Sequence, residues 1–130
     1  MMHSFELQEE FATSASGLFK AWLDSRMHTE MTGGEAQCSQ DVGGSFSAWD
    51  GYISGTNLSI KQNVEIVQAW RTTEFDPLEG DSVLTLRFEE TGGGCLLKLI
   101  HEQIPEGQPD YRQGWIDHYF IPMKAYFEPS

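Results

Sequence analysis

Positive charge is scarce in this sequence: 8 lysines and arginines stand against 20 aspartates and glutamates, for a formal net charge of -12. Such a field repels phosphate, so nucleic acid and anionic membrane surfaces are excluded as partners. A basic protein patch or a neutral small molecule is not repelled. Cysteine is scarcer still. Cys38 and Cys95 cannot build a disulfide scaffold, and the expected setting is a reducing cytoplasm with both thiols free. No apolar run approaches the ~20 residues of a membrane span. The start, Met1 to Glu6, has no basic stretch leading into an apolar one, so neither a secretory signal nor membrane insertion is expected. Metal-ligand spacing is also missing. His3, His28, His101 and His118 are scattered, and no metal or cofactor is expected. Gly92-Gly93-Gly94 lacks the lysine and following helix of a phosphate loop and reads as a turn.

Aromatic residues, in contrast, are plentiful, with 4 Trp, 4 Tyr and 8 Phe in 130 residues. Each buries a large area, so a chain of this length can build one core, and residues 1–130 read as one domain. Phe5, Leu7 and Phe11 share parity and predict a first strand. Thr13-Ser14 offers a helix cap, after which Ala15, Leu18, Phe19 and Trp22 form an apolar stripe. Asp24 or Ser25 can cap a second short helix carrying Met27 and Met31, ended by Gly33-Gly34.

The period then changes to two. It predicts strands from Glu35 to Ser39, Gly44 to Trp49, Tyr52 to Lys61, Glu65 to Thr72, Ser82 to Glu90 and Gly94 to Ile104. Asp50-Gly51 between two of them is a hairpin signal, and the short connections imply an antiparallel meander. Tyr111 to Phe127 is the longest helical segment, with Trp115, Tyr119 and Met123 on a wide apolar face and Pro122 placed to bend it or break a backbone bond. The order of elements argues for an α+β fold with the helices on one face of an antiparallel sheet.

Several of these segments resemble one known family. They are Phe46, Trp49-Asp50-Gly51-Tyr52-Ile53, Gly55-x-Asn57-Leu58, Ile66-Val67-Gln68-Ala69-Trp70-Arg71, Ser82 to Thr85, Leu97 to His101, and Gly114-Trp115. In this order and spacing they are similar to the homologues of the activator of heat-shock-protein ATPase, within the START-like superfamily. The opening Phe11 to Ser14 and Ala21 to Asp24 fit the same family. The resemblance implies a helix-grip fold, a curved antiparallel sheet wrapped around a long C-terminal helix, with two short helices after the first strand. It also implies that a cavity can lie between helix and sheet. The superfamily includes lipid carriers, hormone receptors, polyketide cyclases and co-chaperone domains, so fold alone does not choose a function.

If Trp70 faces inward, alternation turns Ile66 and Gln68 the same way, with Leu84, Leu86 and Phe88 on the next strand and Leu97, Leu99 and His101 on the last. The candidate ligand-binding set is therefore Trp49, Ile66, Trp70, Leu84, Leu86, Leu97, Leu99, His101, Trp115, Tyr119 and Met123. The same pattern is also that of a filled core. His101 is a candidate to orient a ligand or move a proton; equally, it fits a histidine bonded inside the protein. Arg71 and Arg87 read as surface ion pairs, and the cysteines as small buried hydrophobes. The leading expectation is non-catalytic binding of a small hydrophobic or aromatic molecule. The alternatives are a protein-interaction module that stimulates a heat-shock chaperone ATPase, and a cyclase-like enzyme using His101 with a tyrosine hydroxyl.

Overall fold

Alternation in the sequence becomes pairing in space. The computed structural model describes residues 2–128. Its elements are β1 (His3–Phe11), α1 (Ala15–Leu23), α2 (Ser25–Thr32), β2 (Ser45–Ala48), β3 (Ile53–Lys61), β4 (Glu65–Thr72), β5 (Ser82–Thr91), β6 (Gly94–Ile104), α3 (Tyr111–Trp115) and α4 (Ile121–Phe127). A π-helical turn, Ile116–Phe120, joins α3 to α4. The sheet is six-stranded and antiparallel, in the order β1-β6-β5-β4-β3-β2. The register carries inward residues across it in rows. Ile66 lies beside Leu86 and Leu86 beside Leu99, while Gln68 lies beside Leu84 and Leu84 beside His101. The helices cover this concave face, and the core is buried between them. No helix among the described residues is long and apolar enough to cross a membrane.

Local chemistry explains the ends of the helices. Ser14 caps α1 by accepting from Gly17 N at 3.0 Å, and Glu90 accepts from Ala15 N at 2.8 Å, so two of the free N-terminal donors are satisfied. Asp24 caps α2 through Met27 N at 2.9 Å, and Gly33, at φ 88°, ends it in the left-handed region. Pro122 has no N–H, and its ring would meet the carbonyl four residues back. The helix accommodates it by widening: Ile121 N donates to Ile116 O, five residues back.

Two local features differ from the sequence expectation. The segment from Glu35 to Ser39 is not a strand; only Gln37 bridges to Ser47. Side chains of α2 occupy its backbone instead, since Thr29 Oγ1 accepts from Ala36 N at 2.9 Å and Ser25 Oγ from Cys38 N at 2.8 Å. The hairpin after β2 is longer than an Asp-Gly pair. Trp49 to Tyr52 form a four-residue loop between the paired Ala48 and Ile53, and Trp49 and Asp50 both take positive φ, 51° and 58°. That conformation is costly for a tryptophan and marks a constrained segment.

Candidate functional site

A cleft of about 320 Å³ opens between the sheet and the C-terminal helix, lined by Trp49, Tyr52, Ile53, Trp70, Tyr111, Gly114, Trp115, His118 and Tyr119. That volume lies at the lower end of the small-molecule range, ~300–1,000 Å³. Trp70 comes from the end of β4, where its neighbours in the register are small: Gly55 on β3 and Ser82 on β5. Gly55 has no room for a side chain, because a Cβ there would lie 1.8 Å from Ala69 O. Tyr111, Trp115 and Tyr119 recur every four residues along the helical segment; the first two face Trp70, and Tyr119 lies beside Trp115. The rings meet at angles: Trp70 and Trp115 at 5.7 Å and 39°, Trp115 and Tyr119 at 4.6 Å and 50°, Trp70 and Tyr111 at 5.0 Å and 82°.

The hairpin loop supplies one wall. Trp49 rests on Gly34, where a Cβ would come within 2.4 Å of its ring, and stands edge-on to His118 at 5.5 Å. Its indole Nε1 is buried without a hydrogen-bond partner. Tyr52 donates its hydroxyl to Glu74. Tyr111 donates to Gln108 Oε1 at 2.7 Å and accepts from Thr72 Oγ1 at 2.6 Å. Burial pushes the phenols of Tyr52, Tyr111 and Tyr119 above the ordinary tyrosine range, so all three stay protonated.

His101 stands behind the cleft and has no exposed surface. Ser82 Oγ donates to Trp70 O at 2.7 Å, so it accepts from His101 Nε2 at 2.8 Å. The other ring nitrogen, Nδ1, accepts from Trp115 Nε1 at 3.0 Å. This relay ties β4, β5, β6 and the helix together and requires the neutral, Nε2-protonated ring. A proton on Nδ1 would face the indole donor. Burial accordingly lowers the His101 pKa to about 3. His28 has the opposite tautomer: Nδ1 donates to Trp22 O at 2.8 Å and Nε2 accepts from the Tyr119 hydroxyl at 3.0 Å. Burial lowers its pKa as well, against the raising effect of the Trp22 carbonyl.

Of the residues proposed from the sequence, Trp49, Trp70, Trp115 and Tyr119 line the cleft. Ile66, Leu84, Leu86, Leu97, Leu99 and Met123 are fully buried in the core and do not reach it. His101 contributes by holding Trp70 and Trp115 in place. The candidate set omitted Tyr52, Ile53, Tyr111, Gly114 and His118. Tyr111 was within reach, since it begins the four-residue repeat that continues through Trp115 and Tyr119. Among the described residues, no group of three or more His, Cys, Asp or Glu could hold a metal ion. Both cysteines are free, and burial raises Cys38 and Cys95 to about 11.

A curved antiparallel sheet closed by a C-terminal helix, with a cleft between them, defines a helix-grip, START-like binding module. Residues 12–128 match the family described as Activator of Hsp90 ATPase homolog 1-like protein, and the chain belongs to that family. An HSP90 activator from Plasmodium falciparum has a similar structure, with TM-score 0.85 and 26% identity over 95% of this chain and 94% of that one. A Chromobacterium violaceum protein shares the fold at TM-score 0.78 and 21% identity, over 98% of both chains. An uncharacterised Schizosaccharomyces pombe protein is 28% identical over 118 residues, 90% of this chain. The chain spans 35% of the length of that curated relative.

Proposed function

We propose that this chain is a protein-interaction module of the co-chaperone kind, stimulating the ATPase of an Hsp90-type chaperone in the cytoplasm. The observation that carries the reading is the similarity to the Plasmodium HSP90 activator across nearly the full length of both chains. The net charge of -12 suits a partner with a basic surface. The loop between β4 and β5 is built to meet one. Arg71 holds it from within, donating to Asp81 Oδ1 at 2.8 Å, Glu79 O at 3.1 Å and Asp76 O at 3.1 Å. At its tip Leu78 is 97% exposed, with Asp76, Glu79 and Asp81 nearby in the loop. A rigid loop that presents a leucine among acids would fit an apolar pocket with a basic rim.

The test is phosphate release by a purified Hsp90-type chaperone titrated with this chain, with the chaperone's own inhibitor as background. The expected result is a saturable rise in turnover that weakens with salt and is lost in Leu78→Asp, whose melting temperature stays unchanged. No stimulation and no binding would overturn the reading. A second reading, favoured by the aromatic cleft itself, is a small-molecule site. NMR titration against lipids and aromatic metabolites tests it: shifts grouped on Trp49, Trp70, Trp115 and Tyr119 support it, and shifts elsewhere or none count against it.

A further inference from the structure

The cleft carries an electrostatic bias that its apolar lining conceals. Trp49, Tyr52, Trp70, Tyr111, Trp115 and Tyr119 surround it, and no lysine or arginine is among its lining residues. The face of an aromatic ring is negative and its edge positive, so rings that turn their faces to one space attract a cation. Arg71 is held away from the cleft, over the Phe75 ring at 5.4 Å and within the β4–β5 loop. A carboxylate, Glu74, is fixed beside the wall by the Tyr52 hydroxyl. Its position is set by the backbone: Glu74 N donates to Thr72 Oγ1 at 3.2 Å, and Glu74 O accepts from Gln108 Nε2 at 3.1 Å. The acidic chain as a whole adds to the attraction.

We propose that the cleft binds a small, free organic cation with a fully alkylated ammonium head, seated among the aromatic rings with Glu74 as its counter-charge. This rests on the reading of the cleft as a small-molecule site. The alkylated head follows from the hydrogen-bond inventory. The hydroxyls of Tyr52 and Tyr111 are already engaged with Glu74, Gln108 and Thr72. A primary ammonium would leave its water partners and find few replacements. A trimethylated nitrogen has no N–H to satisfy and lays methyl groups against the rings.

The experiment compares choline with its neutral isostere, 3,3-dimethylbutan-1-ol, by calorimetry and by NMR of the full chain at pH 8 and low salt. Choline is expected to saturate, shift the indole signals of Trp49, Trp70 and Trp115, and bind more than about tenfold tighter than the isostere. Glu74→Gln, a change at an exposed position, is expected to weaken choline about fivefold and leave the isostere unaffected. Equal affinity for the two would keep the small-molecule reading and overturn the cationic one. No binding of either would overturn both. A trimethyllysine peptide that binds where choline does not would overturn the assignment to a free small molecule.

Discussion

At one end of the concave face, Ile66, Leu86, Leu97, Leu99 and Met123 have no exposed surface; at the other, Trp70, Tyr111, Trp115 and Tyr119 surround an opening of about 320 Å³. Both ends draw on the alternation of the strands, Ile66 and Trp70 sharing β4, and on the C-terminal helical segment, which gives Met123 to one and Tyr111, Trp115 and Tyr119 to the other. They differ in the shape of the side chains. Branched aliphatics interdigitate to crystal-like density. Flat rings meeting at 39°, 50° and 82° cannot close every gap between them. The polar content differs too. The open end holds two sets of hydrogen bonds, Ser82 with His101 and Trp115, and Thr72 with Tyr111, while Ile66, Leu86 and Leu99 adjoin one another across the sheet. Side chains that pack imperfectly thus leave a cleft open, and the relay through His101 holds Trp115 beside it.

Substitution at each end sharpens the contrast. Leu99→Ala should cost roughly 2–5 kcal/mol, the range for a buried leucine whose surroundings only partly collapse. Trp49→Ala removes more atoms yet should cost about 1 kcal/mol, because its ring is half-buried against the cleft. Urea unfolding of the two variants measures both. Equal losses would mean that the open end is part of the packed core.

Acid should attack the open end first. The folded His101 pKa, about 3, lies below the unfolded value of about 6.5, so the unfolded state binds more protons between the two. Its contribution is therefore full above pH 6.5 and is lost as pH falls toward 3. By pH 5 the loss should be about 2 kcal/mol. His28, also lowered by burial, adds to the loss in the same direction. His101→Gln retains a donor and an acceptor but does not titrate, so its stability should fall less steeply from pH 7 to pH 5. An unchanged slope would remove His101 as the cause.

Gly34→Ala tests the wall of the cleft. The new Cβ would lie 2.4 Å from the Trp49 ring, which must swing aside. The expected cost is about 1 kcal/mol, with shifted Trp49 indole and His118 signals and altered choline affinity. Unmoved signals would show that the loop yields instead of the ring.

Much of the fold was legible in the sequence because strand alternation and helix caps are local. Glu65 to Thr72 and Gly94 to Ile104 were delimited by their periodicity, and Ser14 and Asp24 cap where the pattern placed them. Glu35 to Ser39 was not legible: its alternation is real, but the donors of Ala36 and Cys38 go to Thr29 and Ser25 on α2. The site was half legible for a related reason. Alternation reports which face a residue takes, and so it groups Leu99 with His101. It does not report whether space opens beside a residue, which depends on what crosses from the helix and the hairpin. Tyr52 and His118 belong to the cleft through such crossings, and no sequence period links them.

The two arginines first read alike, as surface ion pairs, give the smallest effect and the last comparison. Arg87 is 57% exposed and makes one contact to Glu65, at 3.1 Å, on the outer face of the sheet. Its loss should change stability by less than about 0.5 kcal/mol, since an exposed pair gains little over water and loses side-chain freedom. Arg71 ties the loop to β4, its planar guanidinium reaching Asp76, Glu79 and Asp81 at once, beside the loop's own bonds from Asp76 N to Glu79, from Leu78 N to Asp76 and from Glu79 N to Asp76. Arg71→Ala should therefore loosen the loop around Leu78 while Arg87→Ala leaves it unchanged. Amide exchange of residues 76–81 in the two variants measures this directly. Equal exchange would mean that the loop holds its shape without Arg71 and would remove the reason to expect a rigid Leu78.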